Sequence, residues 1–285
     1  MIQTEKKAPT MLLILDGFGY RREKDGNAIA NAKMPTWHSL VQRYPHTLLM
    51  ASGRAVGLPD GYMGNSEVGH LCMGAGRIVP TILSRFNDAI DDGSFFSNKI
   101  ILEKLTQLKN ENKPLHLIGL LSDAGVHSHT KHLFVIIEIA KKVGLKSIFI
   151  HVILDGRDTP PKSAKKYLQE LENYCEEQKV GKIASIHGRF YAMDRDENWK
   201  RTEKSYNVLT GDKPGSGKPG SDVTWQEVLD QSYRQEITDE FVEPVLLDGG
   251  KTIRQDDGVF FFNFRSDRAR QLTQCFINSA RAKFP

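Results

Sequence analysis

The chain has 285 residues, 39% hydrophobic and 26% charged, an ordinary globular composition whose length predicts about two domains. Its apolar runs span only a few residues, too short for a transmembrane helix of about 18, and its first ten residues lack the apolar core of a secretory signal. A net charge of +4 with interspersed signs argues against a nucleic-acid or membrane partner, and widely spaced Cys72, Cys175 and Cys275 argue against a zinc knuckle or disulfide framework, predicting a reduced, cytoplasmic setting.

In chain order, Met11–Leu15 is a continuous apolar run that predicts a strand buried on both faces, ending at the turn Asp16-Gly17. Pro35 suits a helix start. Residues 51–80 read as a long glycine-rich loop with a short helix inside. From Thr81, Ile82, Leu83, Phe86, Ala89 and Ile90 fall at helical spacing. Strands and helices then alternate: strands over 115–121, 147–154, 182–186 and 258–262, and helices over 133–143, 162–178, 199–209, 224–233 and 267–278. Residues 213–220 read as an exposed connector. The alternation predicts an α/β fold with a largely parallel sheet.

Each predicted strand runs into a polar turn: Asp16; Ser122 to His129; Asp155-Gly156-Arg157-Asp158; His187 to Arg195; Asn263 to Arg268. Ligands of open α/β sheets bind beyond the carboxyl ends of strands, so these turns together predict a built site. Guanidinium groups bind carboxylates and phosphates bidentately. Arg157, Arg189, Arg195, Arg265 and Arg268 therefore point to a small ligand with several negative charges, and a phosphorylated carboxylic acid is the economical choice. Asp16 reads either as a metal-binding carboxylate or as the turn former of an Asp-Gly pair. Ser66, flanked by Gly64 and Gly69, reads either as an activated nucleophile or as an ordinary N-cap. His127, His129 and His132 lie close enough for a metal cluster, but the loop leads straight into a helix. The preferred reading has His127 alone facing a ligand.

The stretches LILDGFG (13–19), MGNSEVGH (63–70), LLSDAGVHSH (120–129), LDGRDTPP (154–161), GRFYAMDRD (188–196) and FFNFRSDRARQL (261–272) resemble cofactor-independent phosphoglycerate mutase of the alkaline phosphatase superfamily. The motifs occur in the family's order across nearly the whole chain. The resemblance implies the N-terminal part of a metal-binding phosphatase domain at 1–80. It implies an inserted, parallel-sheet transferase domain at 81–285, with its last piece missing. It implies glycolytic interconversion of 3-phosphoglycerate and 2-phosphoglycerate through a phosphoserine on Ser66. Asp16 and Ser66 would bind metal, normally manganese, with two ions in the complete enzyme. His127, Arg157, Asp158, Arg189, Arg195, Arg265 and Arg268 would hold phosphoglycerate, and Asp158 would carry protons for the glycerate hydroxyls.

Family members are close to twice this length, and their remaining metal ligands follow the insert. The expectation is therefore an incomplete phosphatase domain: a truncated gene product, one half of a split gene, or an expressed piece. Such a chain is expected to lack mutase turnover by itself, with a partly ordered N-terminal segment, a better-folded insert and at most weak phosphoglycerate binding. The complete protein is expected to be a monomer, or a complex with a complementing C-terminal half. The alternative is a fragment that binds phosphoglycerate without turnover.

Overall fold

Six consecutive buried residues, Leu115–Leu120, form strand β1, and seven more, Ile148–Leu154, form β2. Burial on both faces is what a parallel strand covered by helices requires. β3 (Lys182–Gly188), β4 (Val245–Leu246) and β5 (Gly258–Phe261) complete one sheet of order β4-β3-β2-β1-β5. β1 pairs in parallel with β2 and β5, and β2 with β3; β4 alone is antiparallel. In this computed structural model, residues 9–211 and 223–277 are described. The predicted connector 213–220 and the tail beyond 277 lie outside them.

The helices are α1 (Ala28–Asn31), α2 (Pro35–Arg43), α3 (Ser66–Ala75), α4 (Ile82–Asp91), α5 (Lys99–Asn110), α6 (Thr130–Val143), α7 (Ala164–Gln178), α8 (Arg189–Ala192), α9 (Trp199–Thr210), α10 (Trp225–Arg234) and α11 (Arg270–Ile277). Asn65 caps α3, its side chain accepting from Val68 N, and Asn98 caps α5 through Ile100 N and Ile101 N. Thr224 and Glu227 form a capping box on α10, satisfying amides that have no partner in the first turn. No helix among the described residues is long and apolar enough to cross a membrane.

Two core layers sandwich the sheet. On one face Leu117, Ile150 and Val152 join Leu105 of α5, Leu133 and Ile137 of α6, Leu168 and Leu171 of α7 and Leu229 of α10. On the other, Ile118, Leu120 and Ile153 join Ala192 of α8, Leu209 of α9, Leu272 of α11 and Ile253 from the connection between β4 and β5. Each fully buried aliphatic side chain contributes about 1.5–3 kcal/mol, so this layered core accounts for the order of the sheet.

The chain divides into two compact units, residues 1–84 and 85–285. The first has a small core of Val56, Leu58 and Val68 with Tyr62 and Cys72 against it. The expected strand at Met11–Leu15 is absent: the segment belongs to no ladder, and Met11, Leu12 and Leu13 are 85%, 76% and 74% exposed. A strand buried on both faces requires neighbours on both sides, and no described residue pairs with this run. Four of these elements escaped the sequence reading. α5 lies between predicted elements, and α1 and α8, with four residues each, and β4, with two, are too short for any periodicity to register.

Candidate functional site

β1, β2, β3 and β5 run in parallel, so their carboxyl ends share one edge of the sheet. There the turns after them carry the candidate residues. Asp155 follows β2, and its buried carboxylate Oδ1 accepts from Arg157 N at 3.2 Å and Asp158 N at 3.0 Å. This folds the turn back on itself and faces Asp158 toward β3. Ser122, after β1, donates to Asp155 Oδ2 at 2.7 Å, joining a third strand end to the cluster.

Arg189 opens the short helix after β3, with its side chain only 3% exposed. Its Nη1 donates to Asp155 Oδ1 at 2.5 Å and to Asp158 Oδ2 at 2.8 Å. Burial opposes its charge, but the hydrogen bonds and fields of Asp158 and Asp155 more than offset this and raise its pKa. A buried guanidinium needs such partners, since an unpaired buried charge is costly.

His127 is buried, with Nε2 3.8 Å from Asp158 Oδ2 and Nδ1 4.0 Å from Asp267 Oδ1. Burial first, and then the Arg189 charge, push its pKa down to about 4. The ring is neutral at pH 7, and its Nδ1 has no hydrogen-bond partner among the described residues. Arg265, after β5, donates its backbone N to His127 O at 3.3 Å and places Nε 3.1 Å from Asp267 Oδ1. Arg195 Nη1 meets Asp267 Oδ2 at 2.6 Å. Burial resists ionisation of Asp267, but the Arg195 hydrogen bond and the Arg265 charge hold its pKa below the ordinary value.

Arg268 has no carboxylate at ion-pair distance among the described residues; its Nη1 donates to Met193 O at 3.3 Å. Burial lowers its pKa, and the charges of Arg195, Arg189 and Arg157 lower it further. The guanidinium groups of Arg195, Arg189 and Arg157 are thus within electrostatic reach of Arg268. Arg157 is largely exposed, with Nη1 3.4 Å from Glu240 Oε1. The arrangement suits a compact, multiply charged anion: several forks converge, one lacks a carboxylate partner, and a neutral imidazole offers a hydrogen bond without adding charge.

The three neighbouring histidines have separate duties. His129 caps α6, its Nδ1 accepting from Lys131 N at 3.1 Å. His132 is buried, with Nε2 2.9 Å from Asn87 Oδ1. Only His127 faces the arginines.

In the first unit, Ser66 Oγ donates to Asp16 Oδ2 at 2.6 Å. Ser66 is not the N-cap; Asn65 holds that position, so the Ser66 hydroxyl remains available beside a carboxylate at the start of a ten-residue helix. Both are hard oxygen donors of the kind a divalent manganese-type ion prefers. Sequence reasoning did not list Asp155, Asp267 or Glu240 as site residues. The signal available for Asp155 was its place at a strand end, and for Asp267 its place between two arginines; Glu240 had none, because it approaches from a distant segment.

Residues 86–285 match the family model described as the BPG-independent PGAM N-terminus. The 2,3-bisphosphoglycerate-independent phosphoglycerate mutase of Moorella thermoacetica is 51% identical over 274 residues, covering 95% of this chain and 52% of that relative. The same-named protein of Trichodesmium erythraeum is 51% identical over 270 residues, covering 95% and 50%. A crystal structure of Leishmania mexicana phosphoglycerate mutase, described at low cobalt concentration, aligns with a TM-score of 0.72 and 34% identity, covering 95% of this chain and 51% of that one. The chain spans about half the length of these relatives. With residues 86–285 matched and the mixed parallel sheet in place, the chain belongs to the BPG-independent phosphoglycerate mutase family.

Proposed function

We propose that this chain supplies the substrate-binding groups and the nucleophile of a mutase that interconverts 3-phosphoglycerate and 2-phosphoglycerate. The observation that carries this reading is Arg268, unpaired by any described carboxylate and within electrostatic reach of Arg195, Arg189 and Arg157. A phosphorylated carboxylic acid brings the charge this cluster calls for. Residues 1–80 are then the N-terminal part of a phosphatase-like domain, and residues 81–285 the transferase part.

In this reading, Arg265 and Arg268 with Arg195 hold the anionic groups. Neutral His127 orients an oxygen, and Asp158, fixed by Arg189, receives or returns the hydroxyl proton of glycerate. Ser66 Oγ passes its proton to Asp16 Oδ2 and attacks phosphorus in line; the new O–P bond forms as the bond to the glycerate oxygen breaks, giving phosphoserine. The glycerate oxygen left behind takes a proton from Asp158. The other hydroxyl of glycerate then loses its proton to Asp158 and attacks the phosphoserine; its new O–P bond forms as the Ser66 O–P bond breaks, and Ser66 Oγ takes its proton back. Asp16 accepts the Ser66 hydroxyl proton's hydrogen bond and aligns Oγ. Asp16 and Ser66 would also hold a divalent metal such as manganese, which lowers the hydroxyl pKa and neutralises phosphoryl charge when bound.

The test is 3-phosphoglycerate titration of the chain, followed by a coupled enolase assay with manganese on the full-length protein and its Ser66→Ala variant. We expect binding by the chain, and loss of turnover in Ser66→Ala with an unchanged circular dichroism spectrum. Substantial mutase activity in Ser66→Ala would place the nucleophile elsewhere. Binding by a full-length protein that never turns over would favour a non-catalytic phosphoglycerate-binding role.

A further inference from the structure

Arg157 follows Gly156, and Arg189 follows Gly188. One backbone strap passes over both glycines. Residues 239–242 arrive after α10, with Asp239 N donating to Pro161 O at 2.9 Å and Gly188 N donating to Val242 O at 2.7 Å. A Cβ on Gly156, whose φ is +68°, would stand 2.8 Å from Asp239 Cβ and 2.9 Å from Glu240 N; one on Gly188 would stand 2.5 Å from Glu240 O. Both glycines are therefore needed for the strap to lie down.

The strap is also nailed at Asp239, which is 1% exposed. Its Oδ2 accepts from Ser163 N at 2.8 Å and Ala164 N at 2.9 Å, closing the start of α7, and its Oδ1 accepts from the Tyr233 hydroxyl. Glu240 thus projects from backbone fixed on three sides. Its side chain is 18% exposed, whereas that of Arg157, at 3.4 Å, is 58% exposed. The Glu240 carboxylate is the one ion-pair partner of Arg157 among the described residues.

We propose that Glu240 is a positioning residue for Arg157, holding its guanidinium at the strand ends before phosphoglycerate arrives. This rests on the reading of Arg157 as a substrate-binding group. A long, exposed arginine loses rotamer freedom when it grips a ligand. A carboxylate on rigid backbone restricts the arginine in advance, so less freedom is lost on binding. Among the described residues only Nη1 is engaged, which leaves the other guanidinium donors for the ligand. The function needs an acceptor of the right reach rather than a negative charge, because a second anion beside phosphoglycerate repels it.

The experiment compares Glu240→Ala, Glu240→Asp, Glu240→Gln and Arg157→Ala in the 285-residue chain, with 3-phosphoglycerate as titrant. Glu240→Ala and the too-short Glu240→Asp should weaken binding by a factor of up to about ten, the upper end of what ordering one long side chain costs on binding. Glu240→Gln, which keeps the acceptor and the length, should bind within about threefold of the unaltered chain. The Ala effect should vanish when Arg157 is already alanine, since the two act as one unit. Nuclear magnetic relaxation of the Arg157 Nε–H group, without ligand, should report lost order in the Ala and Asp variants and retained order in Gln. Should Glu240→Ala fold poorly by circular dichroism, the Asp variant carries the same comparison. If Arg157→Ala weakens binding while Glu240→Ala and Glu240→Asp do not, the positioning role is overturned and the anion site stands. Equal losses in Gln and Ala, additive losses with Arg157→Ala, or unchanged Arg157 relaxation in all variants also overturn it. Full binding by Arg157→Ala instead overturns the assignment of Arg157 to the site.

Discussion

The arginines of the cluster are not equivalent, because their surroundings set what each loses on removal. Arg268 has no carboxylate partner among the described residues, whereas Arg265 shares Asp267 with Arg195. An anion therefore gains most from Arg268. Arg268→Ala should weaken 3-phosphoglycerate binding by about 1.5–3 kcal/mol, the range for a hydrogen bond to a charged group. Arg265→Ala should cost less, since half its side chain is in water and its removal frees Asp267 for Arg195. Titration calorimetry on both variants decides the order, and a larger loss at Arg265 would contradict this account. Arg189 behaves differently. Its removal strands Asp155 and Asp158, one of them buried. Breaking a buried pair costs about 3–5 kcal/mol, so Arg189→Ala should lower the urea midpoint sharply as well as abolish binding. A variant that binds nothing yet unfolds at the normal midpoint would show that the triad contributes little to the fold.

At the scale of elements, the site depends on the register of β2 and β3. The pairing runs Ile150 with Ile183, then His151 with Ser185, so one residue of β3 is bulged out. Bulges re-aim the side chains that follow them, and here the residues that follow lead to Arg189. His151 Nδ1 and Ser185 Oγ, 2.7 Å apart, bridge the strands just past the bulge. Ser185→Ala would leave that buried imidazole nitrogen without a partner at a cost of about 1–3 kcal/mol. A urea midpoint equal to that of the unaltered chain would argue against this bridge. Gly188→Ala places a methyl 2.5 Å from Glu240 O, which overpacks the strap by about 1–3 kcal/mol. It should also detach Glu240 from Arg157, so both stability and 3-phosphoglycerate affinity should fall. Loss of neither would mean the strap moves aside freely.

At the scale of the whole molecule, buried histidines tie stability to pH. His116 Nδ1 contacts His151 Nε2 at 2.9 Å, and Ser185 Oγ contacts His187 Nε2 at 2.7 Å, forming a line across three strands. Burial lowers the pKa of His116 and His151, that of His187 to about 3, and that of His127 to about 4. Each folded pKa lies below its unfolded value, so the unfolded chain binds more protons in between. Stability is therefore fully present above about pH 6.5 and falls as pH drops toward 4, each imidazole adding up to about 1.4 kcal/mol per pH unit. Urea unfolding at pH 7, 6, 5 and 4 should register a progressive loss, and a flat profile would refute the linkage. None of this chain of histidines was read from the sequence, since its members are dispersed at 116, 151 and 187 and meet only when strands pair. The α/β class, four of the parallel strands and the polar turns after them were legible, because periodicity and strand-end chemistry are local properties. Asp16 and Ser66 were legible as candidates for the same reason. The tertiary structure decided which arginine lacks a carboxylate, that Asn65 rather than Ser66 caps its helix, that Met11–Leu15 forms no strand, and that Glu240 reaches Arg157. These depend on partners brought together from distant positions, and a side chain's charge state, burial and pairing are properties of those partners rather than of its own stretch of sequence.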